Sequence, residues 1–159
     1  MTSTDEHWLR QAVALAVTNV TEGGGPFGAV VIRDGELVAT GQNRVTRDHD
    51  PSAHAEVLAI RTACAELGAF SLAGATLYAS CEPCPMCLAT TLWARLDRVV
   101  YAADRDDAAR AGFDDRAFHD LFGTDRARAG WPSRLEQHRL DESDAPFDAW
   151  LAKGDRAAY

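Results

Sequence analysis

The most constraining feature of the sequence is a split motif, His54-Ala55-Glu56 and, thirty positions after the histidine, Pro83-Cys84-Pro85-Met86-Cys87. Each half opens a segment with helical character, and a β-prone run, Thr76 to Ser80, lies between them. Cysteines three apart point the same way on a helix, so Cys84 and Cys87 can grip one ion while His54 approaches from the start of the neighbouring helix. A chain that satisfies this geometry must bring the starts of two neighbouring helices together.

The number of ligands then bears on the kind of metal site. Structural zinc has four protein ligands as a rule, whereas catalytic zinc holds three and a water. His54, Cys84 and Cys87 make three and leave the fourth position to water or hydroxide, with one Zn2+ per subunit. A structural site would need Cys81 or His49 as a fourth ligand. Cys81 precedes the helix at the strand end, and His49 belongs to a polar loop. Glu56, beside the metal but not a ligand, is suited to moving protons between the water and a substrate.

The remaining chain reads as one α/β domain. Leu9, Val13, Ala16, Val17 and Val20 recur at helical spacing, so residues 5 to 22 form an amphipathic helix ending before Gly23-Gly24-Gly25. Phe27 to Ile32 and Leu37 to Gly41 flank Asp34-Gly35, the signature of a two-residue hairpin. A loop closing with Asp50-Pro51-Ser52 leads to a helix from Ala55 to Leu67, stopped by Gly68. Strand 76 to 80, helix 84 to 95 and strand 98 to 103 alternate as a parallel unit. Helix is expected within 108 to 122, a last strand at 134 to 140 and a short helix at 146 to 152. The fold class is therefore α/β, a three-layer α/β/α sandwich with a mixed five-stranded sheet.

Composition narrows the partners. The 159 residues carry a formal net charge of −8 and a pI near 5.0, the wrong sign for a broad nucleic-acid surface. A small free substrate fits better. Three of the four cysteines fall between positions 81 and 87, a poor layout for disulfides and a good one for metal in a reducing compartment. With no leader pattern and no membrane-length apolar run, the expectation is a cytoplasmic protein with no membrane contact.

His-x-Glu followed by Pro-Cys-x-x-Cys is the pattern of zinc deaminases, and at these residues the chain resembles the cytidine deaminase-like superfamily. More narrowly it is similar to the bacterial guanine deaminases of that fold. The likeness also rests on Gly25-Pro26-Phe27-Gly28-Ala29-Val30, Gly41-Gln42-Asn43, Asp50-Pro51, Ser80-Cys81-Glu82-Pro83, Ala111-Gly112-Phe113-Asp114-Asp115 and the terminal Tyr159.

The resemblance implies hydrolytic deamination of guanine to xanthine and ammonia. It implies that Glu56 is the proton shuttle, that Asn43 hydrogen-bonds the purine edge, and that Phe27 and His54 flank the ring. Trp93 would wall the pocket, and Asp115 and Tyr159 would complete recognition. It further implies a homodimer in which a segment from about residue 141 to 159 is swapped onto the partner's site. By residue type alone Asn43 suits a loop cap, Phe27 and Trp93 suit the core, Asp114 and Asp115 suit an acidic turn, and Arg105-Asp106-Asp107 reads as a solvated charge run. Guanosine, cytosine, a 2-aminotriazine or a pterin would use the same metal chemistry. A tRNA adenosine deaminase would want basic surface, and a zinc-stabilised interaction domain would have no use for Glu56.

Overall fold

The computed structural model describes residues 3–122 and 134–155. Its five strands, β1 (Gly28–Arg33), β2 (Glu36–Gln42), β3 (Ala75–Cys81), β4 (Arg98–Ala103) and β5 (Arg134–Gln137), form one sheet in the order β2-β1-β3-β4-β5. β1 pairs antiparallel with β2 and with β3, while β3–β4 and β4–β5 are parallel. The β1–β2 hairpin turns on Asp34 and Gly35, whose φ values of 54° and 80° are what a primed two-residue turn requires.

Alternation along the strands divides the core into two faces. On one, Val30, Ile32, Tyr78 and Val100 meet Leu9 and Val13 of α1 (Ser3–Thr21). On the other, Ala29, Val31, Leu77 and Val99 meet Ala55, Ala59, Ile60 and Ala63, all in the helix from Ala55 to Leu67. That helix is α3, since a single-turn helix α2 (Val45–Asp48) precedes it. The sandwich is thus three-layered, as its sequence periodicity predicts. Gly41 sets how closely the outer layer sits: a Cβ there would fall 2.0 Å from the Ala55 carbonyl oxygen. The first turn of α3 therefore rests directly on β2, one residue from His54.

The parallel β3–β4 unit crosses through α4 (Pro85–Trp93). Beyond β4 the helix expected within 108 to 122 is present and is divided in two. Two short helices, α5 (Arg105–Arg110) and α6 (Arg116–Phe122), are separated at Gly112, whose φ of 95° no helix accommodates. After β5, α7 (Ala145–Ala152) packs back against α1 and buries Phe147 and Trp150. Among the described residues no helix is long and apolar enough to cross a membrane.

Candidate active site

α3 and α4 start at the same end of the sheet, and their cap positions carry the metal ligands. His54 caps α3 and Cys84 caps α4, both with extended backbone, and neither makes a side-chain capping hydrogen bond. Caps are ordinarily Ser, Thr, Asp or Asn that satisfy the first helical N–H groups. Here those positions are given to an imidazole and a thiol, whose donor atoms are left facing each other. Pro85 begins α4 without needing an N–H partner, and Cys87 returns one turn later on the same face.

The three donor atoms form a triangle. Cys84 Sγ lies 3.6 Å from Cys87 Sγ and 3.7 Å from His54 Nδ1, and Cys87 Sγ lies 3.4 Å from His54 Nδ1. Bond lengths of about 2.3 Å to sulfur and 2.0 Å to nitrogen in a tetrahedral zinc site require edges of about 3.8 Å and 3.5 Å. The residues fit zinc. Among the described residues no fourth Cys, His, Asp or Glu joins the group. Cys81 instead points its Sγ at the Asp104 carbonyl oxygen, 3.6 Å away, and His49 is exposed at the end of α2.

Of the three ligands, Cys84 is the one whose electrostatics favour the metal-binding form. The hydrogen bond with Cys87 pulls the Cys84 thiol down to about 4, against the opposing effect of burial. Two helix N-termini add partial positive charge beside the sulfurs. Cys87 is pushed well above the usual thiol range by its hydrogen bond with Cys84 and by burial. Burial opposes protonation of His54, but the bond to Cys84 and the charge of Glu56 more than offset it and raise its pKa. Glu56 is only 7% exposed, and burial pushes its carboxyl upward.

Phe27, Asn43, His54, Glu56, Cys84 and Asp115 share the walls of one cavity of about 640 Å3. The loop bearing Asn43 is bracketed by Asn19 of α1, whose Nδ2 donates to the carbonyl oxygens of Asn43 (2.7 Å) and Gly25 (2.8 Å). The Phe27 ring stands edge-on to Phe113 at 5.1 Å and to Phe147 at 5.7 Å. Trp93 is a correction. The cavity touches only the first turn of α4, at Pro85 and Met86, and Trp93 lies about 12 Å further along the helix axis, 78% exposed beneath the Arg95 guanidinium. The structure does not bring it to this chain's cavity. Tyr159 lies outside the described residues.

The solvated charge run also needs correcting. Arg105 grips Glu82 on the cavity wall, and Asp107 closes a capping box with Asp104 and pairs with Arg139. Glu82, Arg105, Phe113 and His119 were not legible as site residues. The available signals were modest: Glu82 abuts the Pro83-Cys84 motif, Arg105 follows the carboxyl end of a parallel strand, where α/β sheets build their sites, and His119 falls four residues after Asp115.

Comparison with known proteins agrees with this geometry. The family profile "Cytidine and deoxycytidylate deaminase zinc-binding region" matches residues 2–103. The guanine deaminase of Bacillus subtilis is 48% identical over 155 residues, covering 97% of this chain and 98% of that protein. The tRNA-specific adenosine deaminase of the same organism is 39% identical over 99 residues, 62% of either chain. A crystal structure of the Bacillus subtilis guanine deaminase superposes with a TM-score of 0.73 at 46% identity, covering 100% of this chain and 99% of that one. By profile, identity and the three-ligand triangle alike, the chain belongs to the cytidine and deoxycytidylate deaminase family, the family defined by this zinc-binding region.

Proposed function

We propose that this protein is a zinc-dependent guanine aminohydrolase that converts guanine and water to xanthine and ammonia. The observation that carries the reading is the placement of one buried carboxyl, Glu56, beside a three-ligand triangle in a cavity that also holds Asn43 and Asp115. His54 Nδ1, Cys84 Sγ and Cys87 Sγ would hold the zinc, which would supply the Lewis acidity that lowers the pKa of water toward neutrality.

The protein's own residues do the rest. Glu56 takes the proton of the attacking water and delivers it to the ring nitrogen beside the amino-bearing carbon. In the second half it takes the remaining hydroxyl proton and delivers it to the amino group, so that ammonia leaves and the carbon keeps the oxygen as a carbonyl. Asn43 offers an amide and Asp115 a carboxylate to a purine that presents both acceptors and donors. Phe27 gives one face of the ring a surface to stack on, worth about 1 to 3 kcal/mol by analogy with base-aromatic contacts.

The assembly belongs to the same reading. In the single chain α7 packs on its own α1, and a homodimer can make the same contacts with the segment from about residue 141 to 159 exchanged, bringing Tyr159 over the partner's site. Such a lid favours the free base over the nucleoside. Free thiols at the metal site and a net charge of −8 fit a cytoplasmic enzyme acting on a small molecule and oppose a polyanionic substrate.

The test is ammonia release from guanine, guanosine, adenine, cytosine and cytidine, with zinc measured on the same sample. Guanine should be the fastest substrate and guanosine poor. Preferential turnover of adenine or a pyrimidine would overturn the substrate, and turnover of guanosine equal to guanine would remove the lid.

A further inference from the structure

α6 is anchored in an unusual way. Among its described side chains, Arg116, Ala117, Phe118, Asp120 and Phe122 are exposed, and His119 alone is buried, at 1% exposure. An amphipathic helix would normally bury an aliphatic or aromatic side chain at that position. Burying an imidazole is costly unless its nitrogens are hydrogen-bonded. His119 Nε2 lies 3.2 Å from Oδ2 of Asp115, four residues earlier, and its side chain does not reach the cavity, whereas that of Asp115 does.

We infer that His119 is a positioning residue, which holds the Asp115 carboxylate from behind so that its other oxygen is presented to a ring N–H of the purine. This rests on the guanine reading above and names the residue that sets part of its selectivity. Asp115 sits between α5 and α6 with two free side-chain torsions. Without a partner, its carboxylate could rotate toward solvent or take a proton and turn a donor toward the substrate. Burial does push the Asp115 carboxyl upward, and His119 is the neighbour that opposes this most. An N–H fixed on Oδ2 restricts the rotation and favours the ionised, accepting form. A hydrophobic side chain of similar volume would plug the same space but do neither.

The test separates the plug from the positioner. His119→Leu keeps the buried volume and removes the donor. Its kcat/KM on guanine should fall about tenfold or more, carried by KM, with kcat within about threefold and zinc content unchanged. His119→Gln, which can place an N–H near the same point, should recover most of the loss. His119→Asn, too short to reach Asp115, should not, and it serves where the leucine variant does not fold. In an Asp115→Asn background, His119→Leu or His119→Asn should have little further effect on kcat/KM. Equal losses with and without Asp115, or failure of glutamine to recover activity, would overturn the inference and leave His119 as packing. A wild-type protein that turns over another base but not guanine would overturn the substrate reading, and the inference with it, whereas guanine turnover with additive effects overturns the inference alone.

Discussion

Arg105 holds Glu82 in a two-pronged ion pair, with Nε 2.9 Å from Oε2 and Nη2 2.5 Å from Oε1, while its backbone N–H reaches Oε2 at 3.2 Å. Glu82 stands two residues before Cys84, and its side chain is only 4% exposed. The pair therefore ties the start of α5 to the loop that aims a metal ligand. Burial would raise the Glu82 carboxyl, but the arginine more than compensates and holds it below the ordinary range. Removing the guanidinium in Arg105→Met strands a buried carboxylate and should cost about 3 to 5 kcal/mol in urea unfolding. The double variant Glu82→Gln, Arg105→Met should cost clearly less than the sum of the two single changes. An Arg105→Met protein as stable as wild type would show that the pair is solvated.

The Phe27 ring, proposed above as the stacking surface, rests on a helix from the far end of the chain. Phe147 of α7 is buried against Phe27, and Trp150 of the same helix packs on Phe113 at 5.3 Å. Phe147→Ala should destabilise the protein by about 3 to 5 kcal/mol and, by loosening Phe27, raise the KM for guanine more than it lowers kcat. Denaturant titration and steady-state kinetics on one preparation check both. A stability loss with unchanged KM would separate α7 from the site.

Acid stability offers a check on the α5 connection. Burial raises the Asp107 carboxyl, but its bonds to Arg139 and to the Asp104 backbone outweigh this and lower it below the usual aspartate value. A carboxyl lowered by folding stabilises the protein fully above its unfolded pKa, about 3.9, and loses that contribution as pH falls through the folded value. Asp107→Asn should lower the melting temperature at neutral pH and make its decline below about pH 4 shallower than in wild type. Parallel melting curves across that range would remove Asp107 from the account.

Much of this was legible in the residues. The hairpin follows from Asp34-Gly35, the two buried faces of the sheet from strand alternation, and the metal triangle from His54, Cys84 and Cys87. These signals are local, or recur with a fixed period, so a linear reading finds them. The Glu82–Arg105 and Asp115–His119 pairs do not, because each depends on how a connection folds after the last long strand. The break at Gly112 divides the helical stretch into α5 and α6 and places Asp115 at the cavity. Trp93 shows the converse: helical spacing puts it on α4, but only the position of the cavity at the first turn reveals that it faces solvent.

The central claim is that a three-ligand metal site works with one separate proton-carrying carboxyl. The most direct measurement is ammonia release from guanine, with zinc content, for wild type and Glu56→Gln in parallel. The account predicts stoichiometric zinc in both proteins and a loss in kcat of about a thousandfold or more in the variant. Zinc lost together with activity, or turnover surviving without the carboxyl, would contradict it.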